Sequence, residues 1–136
     1  MTWAPKAAWL TVEQLLAAAR GELERMTPAQ AAAPRESGAA LVDIRSEAQR
    51  SRDGGIPGAT CHPRNVLEWR LDPECEHRDP KIAHRDVRVI LVCDEGFQSS
   101  LAAATLRRFG IDATDVIGGF QAWRTAGLPI ESTASG

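Results

Sequence analysis

The alternation of apolar and polar positions along the chain predicts short strands separated by helices. Residues 40–44, 87–92 and 113–117 are short apolar runs typical of buried strands, and residues 59–61 form a weaker strand candidate. Strand candidates that alternate with helical segments indicate an α/β fold with an open, mostly parallel sheet. Such sheets bind ligands at the carboxyl ends of their strands, so we expect the chemistry of this chain there.

Helical segments are indicated before, between and after these strands. Thr11 and Gln14 form a capping-box pattern, and apolar residues at helical spacing follow, so we expect an N-terminal helix within residues 11–26. Residues 74–86 are polar and mixed in charge, which is typical of a surface connection. Proline and glycine punctuation predicts four further helices, over residues 28–34, 66–71, 99–109 and 120–126.

Composition and charge narrow the class of protein. The 136 residues are 43% hydrophobic and 25% charged, which is typical of a globular chain, and the length favours a single domain over residues 1–136. A net charge of -2 shows no basic excess, so we expect no nucleic-acid partner. Residues 1–6 lack a signal-peptide pattern and no apolar run could cross a bilayer, so we expect a cytoplasmic protein without a membrane partner.

The chain has three cysteines, an odd number that argues against a secreted disulfide framework. They are Cys61, Cys75 and Cys93, and because none forms a CxxC pair we expect no metal site. Cys75 lies in the polar connection and carries no expected role. Asp43, Cys61 and Cys93 each lie at the end of a different strand candidate. The topology therefore predicts that these three meet at one edge of the sheet.

The segment after the strongest strand has the composition of a reactive loop. Residues 93–99 read Cys-Asp-Glu-Gly-Phe-Gln-Ser and lie between that strand and a helix. The helix directs its unpaired N–H groups back at the loop, and Gly96 permits a tight turn. Such a cradle of backbone donors stabilises a thiolate at Cys93, and the thiolate is the nucleophilic form. The alternative is that Cys93 is only a small buried hydrophobic residue at the end of a strand.

Four separated motifs occur in a fixed order along most of the chain. They are Leu41-Val-Asp-Ile-Arg45, Gly54-Gly-Ile-Pro-Gly-Ala59, Cys93-x-x-Gly96, and Gly118-Gly-Phe-Gln-Ala-Trp123 followed by Ala126-Gly-Leu-Pro129. Together they resemble the rhodanese family over residues 38–130, with Gly55 where the family usually has histidine. The resemblance implies a small parallel sheet of about five strands with helices on both faces. The N-terminal helix would be an extension of that domain.

The resemblance also implies a function, sulfur transfer through a persulfide on Cys93. The donor would be thiosulfate or a similar compound, the acceptor a thiol, cyanide or a protein, and no cofactor would be needed. Asp43 and Arg45 would support the active loop, although a local ion pair between them is the simpler interpretation. The loop residues that would bind the substrate are Asp94, Glu95, Gly96, Phe97, Gln98 and Ser99.

One departure from the family pattern concerns the recognition of an anionic donor. The family loop commonly reads C-x-x-G-x-R, and here the sixth position is Gln98, which carries no charge. Arg64 is expected near the same edge of the sheet and could substitute, and Arg70 is a weaker candidate. Cys61 could act as a resolving thiol and His62 as a base, although neither role is required.

Two other functions compete with sulfur transfer. A rhodanese-fold binding or sensor module without turnover would be consistent with Gln98, although Cys93 argues against it. A cysteine phosphatase or arsenate reductase would need a C-x5-R loop with an arginine that grips the oxyanion. Position 99 is serine, so this interpretation ranks low. Persulfide formation on Cys93 separates the sulfurtransferase from the binding module.

Overall fold

The computed structural model describes residues 8–33 and 38–133 as a four-stranded parallel sheet between layers of helices. The strand order is β2-β1-β3-β4, so the strand that precedes Cys93 is central. In register, Asp43 pairs with Val92 on one side and with Cys61 on the other. The strands are β1 (Ala40–Asp43), β2 (Thr60–Cys61), β3 (Arg88–Val92) and β4 (Asp112–Asp115).

Six α-helices are present within the described ranges. They are α1 (Val12–Arg20), α2 (Pro28–Ala32), α3 (Glu47–Asp53), α4 (Leu67–Leu71), α5 (Gln98–Arg107) and α6 (Gly119–Thr125). A 3-10 turn, Arg64–Val66, precedes α4. Capping boxes with both reciprocal hydrogen bonds start α1, α2 and α3.

Each face of the sheet carries its own apolar cluster. On one face α4 and α5 pack on the sheet with Leu67, Leu71 and Leu106 fully buried. On the other face α6 supplies Phe120 and Trp123, which pack on alternate residues of β1 and β3. The side chains of a strand alternate between faces, so β3 contributes to both clusters and must be apolar throughout. The α/β class and the helices on both faces are therefore confirmed.

The sheet has four strands where about five were expected. At its β4 edge the additional pairing is a single parallel bridge between Met26 and Val116, which is too short to count as a strand. The expected N-terminal helix over 11–26 was also too long, because α1 ends at Arg20. The irregular chain that follows lies along β4, where Met26 N–H donates to the Asp115 carbonyl.

Helix α3 was missed by the sequence analysis. It is capped by Ser46 and Gln49, but none of its own residues is buried. A helix without an apolar stripe leaves no hydrophobic period in the sequence, and only its cap could have revealed it. Helix α5 also begins and ends slightly earlier than expected, and β4 ends at Asp115 rather than at residue 117. A single domain over residues 1–136 stays a prediction.

Candidate active site

Cys93 lies directly after the central strand β3 and is 6% exposed. On either side, β1 ends at Asp43 and β4 ends at Asp115, and both aspartates are fully buried. The structure thus brings the ends of three strands together around this thiol, as parallel topology requires. A cysteine at this point is held by the sheet, and the loop that follows it folds around the sulfur.

The loop wraps its hydrogen-bond donors around the sulfur atom. The Gly96 N–H donates to Cys93 Sγ at 3.1 Å, and the Ser99 N–H donates at 3.4 Å. The thiol itself lies 3.2 Å from Ser99 Oγ. Both backbone donors would also serve a negatively charged sulfur, because N–H groups stabilise an anion at short range. The predicted cradle is therefore present around the sulfur.

One glycine of the active loop and one of the closing motif let helix α6 approach the loop. A Cβ at Gly96 would lie 2.7 Å from the Gly118 backbone nitrogen, and a Cβ at Gly119 would overlap the Cys93 carbonyl oxygen. The first N–H groups of α6 satisfy loop carbonyls, with Phe120 N–H 2.8 Å from the Cys93 oxygen. The motif thus fixes the main chain beside the thiol.

The side chain of Asp94 is held by α6 and not directed at the sulfur. Gln121 Nε2 donates to Asp94 Oδ1 at 2.9 Å and to Asp53 Oδ2 at 3.1 Å. The hydrogen bond from Arg52 and the one from Gln121 outweigh burial and lower the pKa of Asp53 from 3.8 to about 2. A single glutamine therefore links α3 to the active loop.

The buried carboxylate of Asp115 links the loop to the rest of the protein. Ser99 and Ser100 each donate a hydroxyl hydrogen bond of 2.7 Å to Asp115 Oδ2. Arg25 forms a two-point ion pair with the same carboxylate, at 2.9 and 3.2 Å. A continuous chain of hydrogen bonds therefore runs from the Cys93 thiol through Ser99 to Asp115.

Two arginines that the sequence analysis did not single out contact the loop. Arg20 Nη2 donates to the Gly96 carbonyl at 2.8 Å, and Arg25 Nη2 donates to the same oxygen at 3.1 Å. Arg20 Nε also donates to Ser100 Oγ at 3.1 Å. Both arginines precede the matched motifs, and more than 70 residues separate them from the loop. No local pattern could have predicted these contacts.

The predicted supporting pair, Asp43 and Arg45, is joined by local hydrogen bonds, while the buried Arg45 Nη1 has no hydrogen-bond partner. Arg45 Nη2 donates to Asp43 Oδ2 at 2.7 Å and to the Gly54 carbonyl at 2.8 Å, and both side chains are fully buried. The Arg45 guanidinium also lies 3.7 Å from the centre of the Phe120 ring. The described side-chain hydrogen bonds of Asp43 all come from Arg45, so the local ion pair is present. A supporting role for the active loop remains a prediction.

Cys93 opens into a pocket of about 570 Å³. Arg64 reaches this pocket, as expected, but its Nη1 lies 2.7 Å from Glu68 Oε1, so its charge is already partly compensated. Phe97 and Gln98 are exposed at the mouth of the pocket. The lining comprises Ile44, Arg45, Ser46, Gln49, Pro63, Arg64, Asn65, Cys93, Asp94, Glu95, Phe97 and Gln98.

Cys61 lies too far from Cys93 to form a disulfide in this conformation. Cys61 and Val92 pair with opposite sides of Asp43, which separates their main chains by about two strand spacings, roughly 9–10 Å. A disulfide needs its Cα atoms within about 7 Å. Burial of its thiol raises the pKa of Cys61, although the residue as a whole is exposed. The resolving role would therefore require movement of the backbone.

Two other candidates have partners outside the pocket. His62 Nε2 lies 2.8 Å from Asp79 Oδ2, in the connection before β3. Burial raises the pKa of Asp79, but the hydrogen bonds from His62 and from the Lys81 backbone outweigh it, so the net pKa is lowered. Arg70 donates to the His77 carbonyl at 2.9 Å. Neither His62 nor Arg70 lines the pocket that contains Cys93.

Clusters of metal-ligating side chains and membrane-spanning helices are both absent from the described part of the chain. Within residues 8–33 and 38–133, no group of three or more His, Cys, Asp or Glu side chains is placed to hold a metal ion. In the same described part of the chain, every helix is too short or too polar to cross a bilayer.

The fold and the cysteine loop define a family of proteins. The chain belongs to the family of rhodanese-like domains, whose sequence model matches residues 27–126. Thiosulfate sulfurtransferase GlpE of Pseudomonas syringae pv. syringae (strain B728a) is 36% identical over 105 residues, which cover 76% of this chain and 90% of that protein. GlpE of Pseudomonas fluorescens (strain Pf0-1) is 36% identical over 116 residues, which cover 85% and 95% respectively.

Solved structures show the same fold. A protein of unknown function from Rhodopseudomonas palustris CGA009, described as a possible tyrosine phosphatase, is 34% identical with a TM-score of 0.82. The match covers 95% of this chain and all of that one. A rhodanese-like domain protein from Staphylococcus aureus is 25% identical with a TM-score of 0.63, over 81% of this chain and all of its own. The rhodanese resemblance is therefore confirmed.

Proposed function

We propose that this protein is a rhodanese-type sulfurtransferase that carries sulfane sulfur as a persulfide on Cys93. The observation that carries the proposal is the cradle around Cys93 Sγ, with N–H donors at 3.1 and 3.4 Å at the mouth of an open pocket. An inert core cysteine would not need two backbone donors directed at its sulfur. Relatives named thiosulfate sulfurtransferase, 36% identical, support the same assignment.

The reaction has two steps. In the first, the Cys93 thiolate attacks the outer sulfur of thiosulfate or a similar donor, the new S–S bond forms, and sulfite leaves with the electron pair of the broken S–S bond. In the second, a thiolate or cyanide attacks the outer sulfur of the persulfide, and the Cys93 thiolate is released. The Gly96 and Ser99 N–H groups donate to Cys93 Sγ and so stabilise the attacking thiolate, and in the proposal the same cradle stabilises the outer sulfur of the persulfide.

The loop departs from the family pattern in the recognition of the donor, because it has Gln98 in place of an arginine. In the proposal Arg64, a partly exposed cation on the pocket wall, contacts the donor, and its ion pair with Glu68 weakens that contribution. Asp94 and Glu95 add negative charge to the same pocket. We therefore expect a high KM for thiosulfate, and a large decrease in KM for Gln98→Arg in a steady-state assay with cyanide as acceptor.

The three cysteines are free in the structure, and the proposed chemistry needs Cys93 reduced. A reducing compartment such as the cytoplasm supplies that condition, so the proposal places the protein there.

Turnover tests the proposal directly. Thiosulfate and cyanide are supplied, and thiocyanate formation is followed for the wild type, for Cys93→Ser and for Cys61→Ser. We expect the first variant to be inactive and the second to match the wild type, because Cys61 does not line the pocket and lies two strands from Cys93. Equal activity of Cys93→Ser and wild type would refute the assignment of Cys93.

The phosphatase alternative has one point in its favour, the description of the relative from Rhodopseudomonas palustris. Against it, the position that would carry the gripping arginine is Ser99, which is buried and donates its hydroxyl to Asp115. A phosphate ester in this pocket would lack its principal cation. Hydrolysis of p-nitrophenyl phosphate that depends on Cys93 would favour this alternative over sulfur transfer.

A further inference from the structure

The chain in front of the matched family region forms part of the active site. The family match starts at residue 27, whereas α1 and the turn that follows it precede that point. Both arginines that contact the active loop, Arg20 and Arg25, come from this preceding segment. Both contacts therefore come from a segment that precedes the region matched by the family model.

The two arginines converge on one carbonyl oxygen, that of Gly96, at 2.8 and 3.1 Å. Arg20 is further fixed by Ser100 Oγ at 3.1 Å, and its guanidinium lies 5.9 Å from the centre of the Phe97 ring. Charge-assisted hydrogen bonds to a carbonyl are stronger than neutral ones. A carbonyl that accepts two of them is held in one orientation.

The conformation of Gly96 determines where its N–H points. Gly96 has φ +87, in the left-handed region, where glycine has many accessible conformations. Its N–H donates to Cys93 Sγ, while its carbonyl faces the two arginines on the other side. Fixing the carbonyl limits rotation about the glycine, so the N–H stays directed at the sulfur. The energetic benefit is that the donor is already oriented when charge develops.

We propose that Arg20 and Arg25 are positioning residues, which hold the Gly96 carbonyl and so restrict rotation about the glycine, keeping the N–H of the preceding peptide group directed at the reactive sulfur of Cys93. The proposal rests on the proposed function as far as the persulfide is concerned. The orientation of the N–H toward the thiolate is independent of sulfur transfer and can be measured separately.

Substitution of the two arginines is expected to affect the stability of the fold differently. Arg25 also neutralises the buried Asp115 carboxylate, so its removal would leave an unpaired buried charge and is expected to destabilise the fold strongly. Arg20 contacts only neutral acceptors among its described hydrogen bonds, so it is the safer position. Arg20→Gln is therefore the principal variant, and Arg20→Lys retains a cationic donor for the Gly96 carbonyl. Arg107→Gln, at the far end of α5, is the matched control.

The experiment is alkylation of Cys93 in the full chain with iodoacetamide, followed by peptide mass, near neutral pH. We expect Arg20→Gln to lower the alkylation rate about tenfold while the reactive fraction stays complete, because weaker donation to the sulfur disfavours the thiolate. Arg20→Lys should recover part of that rate, and Arg107→Gln should match the wild type. In parallel, the maximal rate of persulfide formation should fall with the half-saturating donor concentration unchanged.

A purely structural role would lower the reactive fraction and leave the rate of the folded chains unchanged. That result would overturn the proposal, as would an Arg20→Gln rate within twofold of the wild type or the absence of any recovery with lysine. The alkylation results stand even if the wild type accepts sulfur from no donor. Failure of the proposed function and failure of the positioning role are thus distinguishable.

Discussion

Two buried aspartates end the strands on either side of the central strand, and each is paired with an arginine. Asp43 ends β1 and pairs with Arg45, two residues away at 2.7 Å. Asp115 ends β4 and pairs with Arg25, which lies 90 residues earlier, at 2.9 Å. The two pairs have the same composition and both carboxylates are fully buried, but the Arg25 side chain is 15% exposed whereas that of Arg45 is fully buried.

Their surroundings are different. The first pair closes on the Gly54 carbonyl and the Phe120 ring, so it fastens β1 to the turn and the helix beside it. The second pair continues through Ser99 to the Cys93 thiol. A buried ion pair contributes little net stability by itself, so its role depends on what else its members hold. By this criterion the contacts of the first pair are local, and the second pair connects a distant segment to the reactive sulfur.

The largest effect on stability should come from Arg45→Met. The change leaves the Asp43 carboxylate buried without its partner, and we expect a loss of about 3–5 kcal/mol in the free energy of unfolding, measured in urea. The alkylation rate of Cys93 in the folded fraction should change less than it does in the Ser99→Ala variant described below. A loss below about 1 kcal/mol would contradict the structural role of this pair.

Gly119→Ala tests the close contact between α6 and the active loop. The added methyl group would overlap the Cys93 carbonyl at a residue with φ +60, and we expect a loss of about 3 kcal/mol. Gly127→Ala has a similar φ, +75, with nothing within 4 Å of the added atom. It should cost only about 1–2 kcal/mol. Equal losses in the two variants, measured by thermal unfolding, would show that contact with the loop is unimportant.

Ser99 and Ser100 both donate to Asp115, so their alanine variants can be compared directly. Ser99 and Ser100 both donate to Asp115 Oδ2 at 2.7 Å, but only Ser99 lies against the sulfur, at 3.2 Å. The Ser99 hydroxyl accepts from the Cys93 thiol and therefore favours its protonated form. We expect Ser99→Ala to raise the alkylation rate of Cys93 severalfold and Ser100→Ala to leave it within about twofold, with similar losses of stability. The reverse order of rates would break the proposed connection between Asp115 and the thiol.

The smallest expected effect on stability comes from Asp53, whose carboxylate is linked to the loop through Gln121. The pKa of Asp53 is lowered from 3.8 to about 2, chiefly by the Arg52 hydrogen bond. Its contribution to stability is therefore present above about pH 4 and is lost as the pH falls through about 2. The difference in Tm between the wild type and Asp53→Asn should shrink over that window. A difference that is constant from pH 7 to pH 2 would exclude the ionised carboxylate as its source.

Local signals in the sequence predicted the features that depend on neighbouring residues. The apolar run of β3 predicted a buried central strand, and Cys93 followed by Gly96 predicted the loop with its donors. The Asp43–Arg45 pair was anticipated as a local ion pair because its members are two residues apart. Helix α3 was missed because a polar helix carries no apolar period.

The contacts of Arg20 and Arg25 could not be predicted in this way. They depend on how α1 packs on α5 and on how the chain before β1 lies along β4, and neither arrangement is encoded in local spacing. Arg64 was placed correctly at the pocket, but its pairing with Glu68 depends on the turn geometry before α4. Its role in donor binding stays a prediction.

The central claim is that Cys93 carries sulfur, and the intact mass of the protein tests that claim most directly. The reduced protein is incubated separately with thiosulfate, 3-mercaptopyruvate and a low-molecular-weight persulfide, beside Cys93→Ser. We expect the wild type to gain the mass of one sulfur atom from at least one donor, to lose it on treatment with cyanide, and the variant to gain none. A wild type that gains no sulfur from any donor would contradict the account and leave a rhodanese-fold binding module.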